Sequence, residues 1–134
     1  MTSVAGKKIL IIDDARDSAR LLSMLLSKLG HQVLTASDGR SGVEIAKRER
    51  PQVILSDVLM AGMTGYAVAR AVRAEPELAG CILIAVTGKS GDEAEQESLE
   101  AGFDAHLVKP IDWRKLEELM QSIRYLRELP PPGA

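Results

Sequence analysis

The sequence predicts an α/β protein in which five strand–helix units form one doubly wound parallel sheet. Two observations carry that expectation. Short aliphatic runs recur without polar alternation, as strands buried on both faces do. Between them lie segments whose apolar residues repeat at helical spacing. Regular alternation of the two implies right-handed crossovers, with helices on both faces of the sheet.

The first run is Ile9–Ile12, and Leu21, Leu22, Leu25, Leu26 and Leu29 then mark a helix that Gly30 ends. Gln32–Ala36, set between Gly30 and Asp38-Gly39, is a weaker strand and reads as an outer one. Val43, Ile45 and Ala46 place a second helix, stopped before Pro51 because the residue preceding a proline avoids helical geometry. Val53–Leu55 is the third strand, and Tyr66–Val72 the third helix, closed by Glu75-Pro76. Ile82–Val86 is the fourth strand. Asp92–Ala101 is rich in acid and offers only Ala94, Leu99 and Ala101 as apolar residues, so it predicts a helix with little buried area to resist displacement. The same acidic run also fits a plain solvated face. After the fifth strand, Leu107-Val108, the residues Trp113, Leu116, Leu119, Met120, Ile123 and Leu126 define a last amphipathic helix. Pro130-Pro131-Pro132 cannot extend it. The expected organisation is an N-terminal extension over 1–6, one domain over 7–127 and a Pro-rich tail over 128–134.

Bulk composition narrows the function classes. A length of 134 residues holds one domain with a substantial core, and aromatics at 3% leave that core to aliphatic side chains. A formal charge of −2 gives no electrostatic footprint for nucleic acid or anionic lipid. The single cysteine, Cys81, opens an apolar run and reads as a small buried hydrophobe in a reducing compartment. No stretch is apolar enough to span a membrane, and Met1-Thr2-Ser3-Val4 lacks a secretory pattern, so a cytoplasmic location is expected.

In such a sheet, groups at the carboxyl ends of the strands meet along one edge, where strand order reverses. Asp13 and Asp14 follow Ile9–Ile12, Asp57 follows Val53–Ser56, Thr87 follows Ile82–Val86, and Lys109-Pro110 follow Leu107-Val108. If the strands lie in the order 2-1-3-4-5, the first and third are neighbours and these aspartates converge. Crowded carboxylates repel unless a cation neutralises them, and hard oxygen ligands suit Mg²⁺. Lys109 would add a point charge where a phosphate could sit, and Thr87 a hydroxyl donor. A carboxylate nucleophile, a metal, a cation and a hydroxyl are what phosphoryl transfer uses, since its catalysis is positioning and charge neutralisation. Each residue also has an ordinary reading. An Asp pair after a strand often caps the next helix, Asp57 and Thr87 suit turns, and Lys109 suits a solvated surface. Their shared position at one sheet edge is what favours a site.

Four motifs follow in order: Ile9-Leu10-Ile11-Ile12-Asp13-Asp14, Asp57-Val58-Leu59-Met60 with Gly62-Met63-Thr64-Gly65, Ala85-Val86-Thr87-Gly88, and Ala101 through Pro110. On them the chain resembles, from about Lys7 to about Arg127, the receiver domain of two-component response regulators. The resemblance implies a single flavodoxin-like (βα)5 sheet, similar to the chemotaxis receiver, with strand order 2-1-3-4-5. It further implies that Asp57 is the phosphoacceptor and that Asp14 binds Mg²⁺ directly. By the same resemblance Asp13 acts mostly through water, and the backbone carbonyl of Leu59 is a third protein ligand. Thr87 and Lys109 would contact the phosphoryl oxygens. The implied donor is a histidine kinase or a histidine phosphotransfer protein. Thr87 and residue 106 would form the switch, which repacks the face of the fourth helix, last strand and last helix where a downstream protein binds. Neither nucleic acid nor membrane is expected as a partner.

The chain departs from the family pattern at Ala61, where Pro is usual, at Thr64, where Asp is common, and at His106, where the switch is commonly Tyr or Phe. A switching His106 is expected to be fairly exposed while Asp57 is free; a bystander would simply lie on the edge strand. The segment Phe103–Pro110 also resembles receivers at the C-termini of hybrid histidine kinases, so the chain reads either as such a domain or as a stand-alone relative that binds partners or relays phosphate. A competing class is an Mg²⁺-dependent phosphatase of the haloacid-dehalogenase type, with an aspartyl-phosphate intermediate. That mechanism needs a general acid two residues after the nucleophile, where this chain has Leu59. A third class, a scaffold never phosphorylated, fits poorly with a complete acidic set.

Overall fold

A computed structural model describes residues 6–88 and 91–128, with side chains to residue 122. The elements are β1 (Lys8–Ile12), α1 (Arg16–Lys28), β2 (Gln32–Ala36), α2 (Gly39–Glu49), β3 (Val53–Asp57), α3 (Gly65–Arg73), a short 3-10 turn (Pro76–Leu78), β4 (Ile82–Thr87), α4 (Asp92–Ala101), β5 (Ala105–Val108) and α5 (Trp113–Glu128). Apart from Gly6 and Glu128, the expected N-terminal extension and Pro-rich tail lie outside the described residues.

The five strands pair in parallel in the order β2-β1-β3-β4-β5. The three inner strands carry the unbroken aliphatic runs, and all are buried from the second residue of β1 onward. The edge strands β2 and β5 are only partly buried, which is why their sequences are the weaker signals. Side-chain alternation splits the core in two. Ile9, Ile11, Val53, Leu55, Ile84 and Val86 pack with Leu22, Leu26, Leu116 and Met120 under α1 and α5. On the other face Leu10, Ile12, Ile54, Leu83 and Ala85 pack with residues of α2, α3 and α4.

Helix ends follow local chemistry. The Asp38 side chain accepts the Ser41 N–H at 2.8 Å to start α2, and Thr64 accepts the Ala67 N–H at 3.2 Å to start α3. The Ser41 backbone N–H and hydroxyl hold the Asp38 carboxyl below its ordinary pKa. Gly102, at φ +115°, closes α4 in the left-handed conformation that glycine adopts without penalty. Behind it, Arg73 ties three segments together. Its guanidinium donates to Gly102 O at 2.9 Å, to Cys81 O at 2.9 Å and to Asp104 Oδ2 at 2.8 Å. The same Asp104 oxygen accepts the Leu83 N–H at 2.8 Å. At the amino ends of β1 and β2, His31 is fully paired. Its Nδ1 accepts the Lys7 N–H at 3.0 Å, which leaves Nε2–H to donate to Glu117 at 2.8 Å and pins α5.

The leucine repeat of α1 is wider than the core needs. Leu22 and Leu26 are buried, whereas Leu21, Leu25 and Leu29 stand out in solvent beside Met24. Helix α4 has the thin interior contact its sequence predicts, for only Ser98 and Ala101 are buried and Leu99 is 56% exposed.

Candidate functional site

Strand order and register bring the predicted residues together at the carboxyl edge. Ile12 of β1 lies beside Ser56 of β3, so the residues that follow each strand become neighbours. One carboxylate oxygen from each of Asp13, Asp14 and Asp57 falls within 4.8 Å of the others. Asp13 and Asp57 are buried and Asp14 is exposed. The helix-capping reading of the Asp pair is not what the structure shows. The N-cap of α1 is Ala15, which lacks a capping side chain, while Asp13 Oδ1 accepts the Ala15 N–H at 2.8 Å and so is held over the cleft.

Lys109 reaches in from the end of β5, its Nζ 3.3 Å from Asp57 Oδ2 and 3.5 Å from Asp13 Oδ2. Its backbone N–H donates to Thr87 O at 2.8 Å, fixing the strand end from which it extends. The Lys109-Pro110 peptide is cis. Thr87 is buried at the end of β4, one residue beyond the Asp57–Val86 pair. Leu59 projects its side chain into solvent from the loop after β3. That loop is drawn tight, because Gly65 N–H donates to Val58 O at 2.9 Å and a Cβ on Gly65 would collide with the Asp57 carbonyl oxygen. Only glycine permits α3 to start so close to the end of β3.

Electrostatics follow from this packing. Burial raises the Asp57 carboxyl above its ordinary pKa; Lys109 pulls it back, and Asp13 and Asp14 push it up again. For Lys109, burial pulls the ammonium down, but Asp57 and Asp13 outweigh it and the net shift is upward. The ammonium therefore stands where a cation is needed. The donors suit Mg²⁺: an all-oxygen carboxylate set, partly open to water on the Asp14 side, whose negative charge already draws in a lysine.

His106 differs from expectation. It is only partly exposed, and its Nε2 is buried without a hydrogen-bond partner. Across the sheet His106 pairs with Ala85, a small neighbour on the adjacent strand. Sequence reading missed Arg73, Asp104 and the His31–Glu117 pair, which join residues 31 and 86 positions apart.

A groove of about 410 Å³ leads away from the site, with Asp13 and Lys109 at one end and Leu21, Leu22, Leu25, Pro110 and Ile111 along it. An adjoining polar cleft runs between α1 and β2, lined by Arg16, Arg20 and Thr35 among others.

Fold and site together define a signalling module of the two-component class, built around an acidic cleft. The model of the response regulator receiver domain matches residues 9–122, and the chain belongs to that family. It is 33% identical to protein PilH of Pseudomonas aeruginosa, over 87% of this chain and 96% of that protein. It is similar in structure to the chemotaxis protein CheY4 of Vibrio cholerae, with a TM-score of 0.83 and 33% identity over 89% of this chain and 99% of that one. It is also similar to the receiver domain of the sensor histidine kinase PA1611 of Pseudomonas aeruginosa, whose structure has a magnesium ion coordinated in the active site cleft. There the TM-score is 0.80 and identity 29%, over 88% of this chain and 97% of that one. The chain spans about half the length of other curated relatives, among them probable transcriptional regulators of which it covers 51% and 48%. Among the described residues, no helix is long and apolar enough to cross a membrane.

Proposed function

We propose that Asp57 accepts a phosphoryl group from a phosphohistidine on a histidine kinase or phosphotransfer protein, and that the receiver unit spans 7–127. The observation that carries this reading is the meeting of Asp13, Asp14, Asp57 and Lys109 at one sheet edge. In the transfer, an Asp57 carboxylate oxygen forms a bond to phosphorus as the bond from phosphorus to the donor's imidazole nitrogen breaks. Lys109 swings from carboxylate to phosphoryl oxygen with its charge intact, and the Thr87 hydroxyl donates to a second oxygen. Asp13, Asp14, Asp57 and the Leu59 carbonyl would hold Mg²⁺, with Asp13 acting mainly through water. A bound Mg²⁺ would supply the charge neutralisation that lets an anionic phosphoryl group approach three carboxylates.

The donor docks along the apolar groove beside α1, where exposed Leu21 and Leu25 lead straight to Asp13 and Lys109. Activation is read out at the face of α4, β5 and α5, through Thr87 and His106. The module acts in the cytoplasm, as a stand-alone relay or as the receiver of a hybrid kinase, without nucleic acid or membrane as ligand. It is not an independent enzyme beyond assisting its own phosphorylation and dephosphorylation. The phosphatase alternative fails on Leu59, whose side chain transfers no proton.

Incubation with acetyl phosphate and Mg²⁺ will add one phosphoryl group by mass. Asp57→Asn will abolish the increment, and chelation of the metal will nearly stop it. Undiminished labelling of the Asp57→Asn protein overturns the assignment.

A further inference from the structure

We propose that His106 is a positioning residue that holds Thr87 in its activated orientation, through a hydrogen bond from the imidazole Nε2–H to the Thr87 hydroxyl oxygen. The proposal rests on the reading of Asp57 as acceptor and adds a polar lock to it, one that a phenylalanine at this position could not supply.

His106 Nε2 is a buried side-chain polar atom that lacks a hydrogen-bond partner among the described residues. It belongs to the α4–β5 layer. A buried polar atom without a partner bears its desolvation uncompensated, so a conformation that pairs it gains more than the same bond would at the surface. The register shows which partner lies in reach. His106 pairs with Ala85 and Val108 with Thr87, so His106 and Thr87 project from adjacent strands onto the same face, as diagonal neighbours. The residue between them on β4 is Ala85, and its methyl leaves that lane open.

A threonine hydroxyl donates one hydrogen bond and accepts others. Once the Thr87 O–H donates to a phosphoryl oxygen on Asp57, its proton is committed and its lone pairs are left for a donor from behind. The imidazole supplies one when Nε2 carries the proton. The two bonds polarise each other, since a hydroxyl that accepts from an N–H becomes the stronger donor. No covalent bond changes; a tautomer and a rotamer are selected. His106 thus converts phosphorylation of Asp57 into the pairing of an atom that the free state leaves unpaired.

The test uses the full ¹⁵N-labelled chain with Mg²⁺ and beryllofluoride, a phosphoryl mimic whose ¹⁹F signal reports occupancy of Asp57 independently. With the mimic bound, His106 Nε2 will be fixed as N–H and show a slowly exchanging imidazole proton that the free protein lacks. His31, already paired at both nitrogens, is the reference for a bonded ring. Thr87→Ser will keep the protected proton and Thr87→Val will lose it. His106→Phe will lower affinity for the mimic about three- to tenfold, the effect of one neutral hydrogen bond. Unchanged His106 nitrogens at full ¹⁹F occupancy, or the same protected proton in Thr87→Val, would overturn the lock while sparing the acceptor. If Thr87→Val takes up no mimic, His106→Phe decides, and wild-type affinity there overturns the lock. Absence of a bound ¹⁹F signal in the wild-type protein would overturn the acceptor reading, and the lock with it.

Discussion

The centre of the sheet and the α4–β5 layer are built on opposite terms. Around β1, β3 and β4 every aliphatic side chain of the strands is buried on one face or the other, and the carboxylates emerge at the ends of these buried strands. The α4–β5 layer has two buried residues on its helix, a partly exposed strand and an unpaired buried nitrogen on His106. The contrast teaches where rigidity is needed. Charges that repel must be held by a dense frame, whereas a surface that changes its packing must have little packing to lose.

Truncation separates the two regions most sharply. Leu83→Ala, in the fully buried fourth strand, is expected to cost about 3 kcal/mol by denaturant unfolding, as large-to-small changes in cores do. A loss under about 1 kcal/mol there would mean the centre is not the dense frame described. Next comes the clamp between them. Arg73→Met leaves Asp104 half-buried without its counterion and should cost roughly 2 kcal/mol. It should also speed amide exchange in α4 and β5 before it affects β1.

A third effect has the opposite sign. Burial and the neighbouring carboxylates raise the Asp57 pKa in the folded protein, so its ionised form is disfavoured by folding. Stability from this group is fully present below the unfolded value of 3.8 and is lost as pH rises through the raised folded value. Asp57→Asn should therefore stabilise the metal-free protein at neutral pH by on the order of 1 kcal/mol, a few degrees in Tm. The gap should close on acidification. Excess Mg²⁺ should shrink it too, by stabilising only the protein that retains the full acidic set. The smallest effect is Leu99→Ala on exposed α4, expected to stay within about 0.5 kcal/mol.

How much of this was legible before the structure depended on how local each cause is. The inner strands were plain because burial on both faces writes an unbroken apolar run into five or six consecutive residues. The site was legible as position, since Asp13, Asp57, Thr87 and Lys109 each follow such a run. The start of β5 was not, because Ala105 and His106 lie at a half-buried edge and carry no run of their own. The beginning of α1 at Arg16 is polar, so its apolar repeat showed only the second half of the helix. Arg73 and Asp104, and His31 and Glu117, meet through the tertiary fold, and nothing in a one-dimensional pattern announces such pairs. His106 was expected to be fairly exposed if it is a switch residue with Asp57 free, whereas the structure leaves it partly buried with its Nε2 out of solvent.

The most direct test is to locate the phosphoryl group chemically. Protein labelled by acetyl phosphate in Mg²⁺ is reduced with borohydride, which converts an aspartyl phosphate to homoserine, and is then mapped by peptide mass spectrometry. Homoserine at position 57 alone is the expected result. Homoserine at Asp13 or Asp14, or a phosphate that survives reduction on Ser56 or Thr87, would contradict the assignment of Asp57.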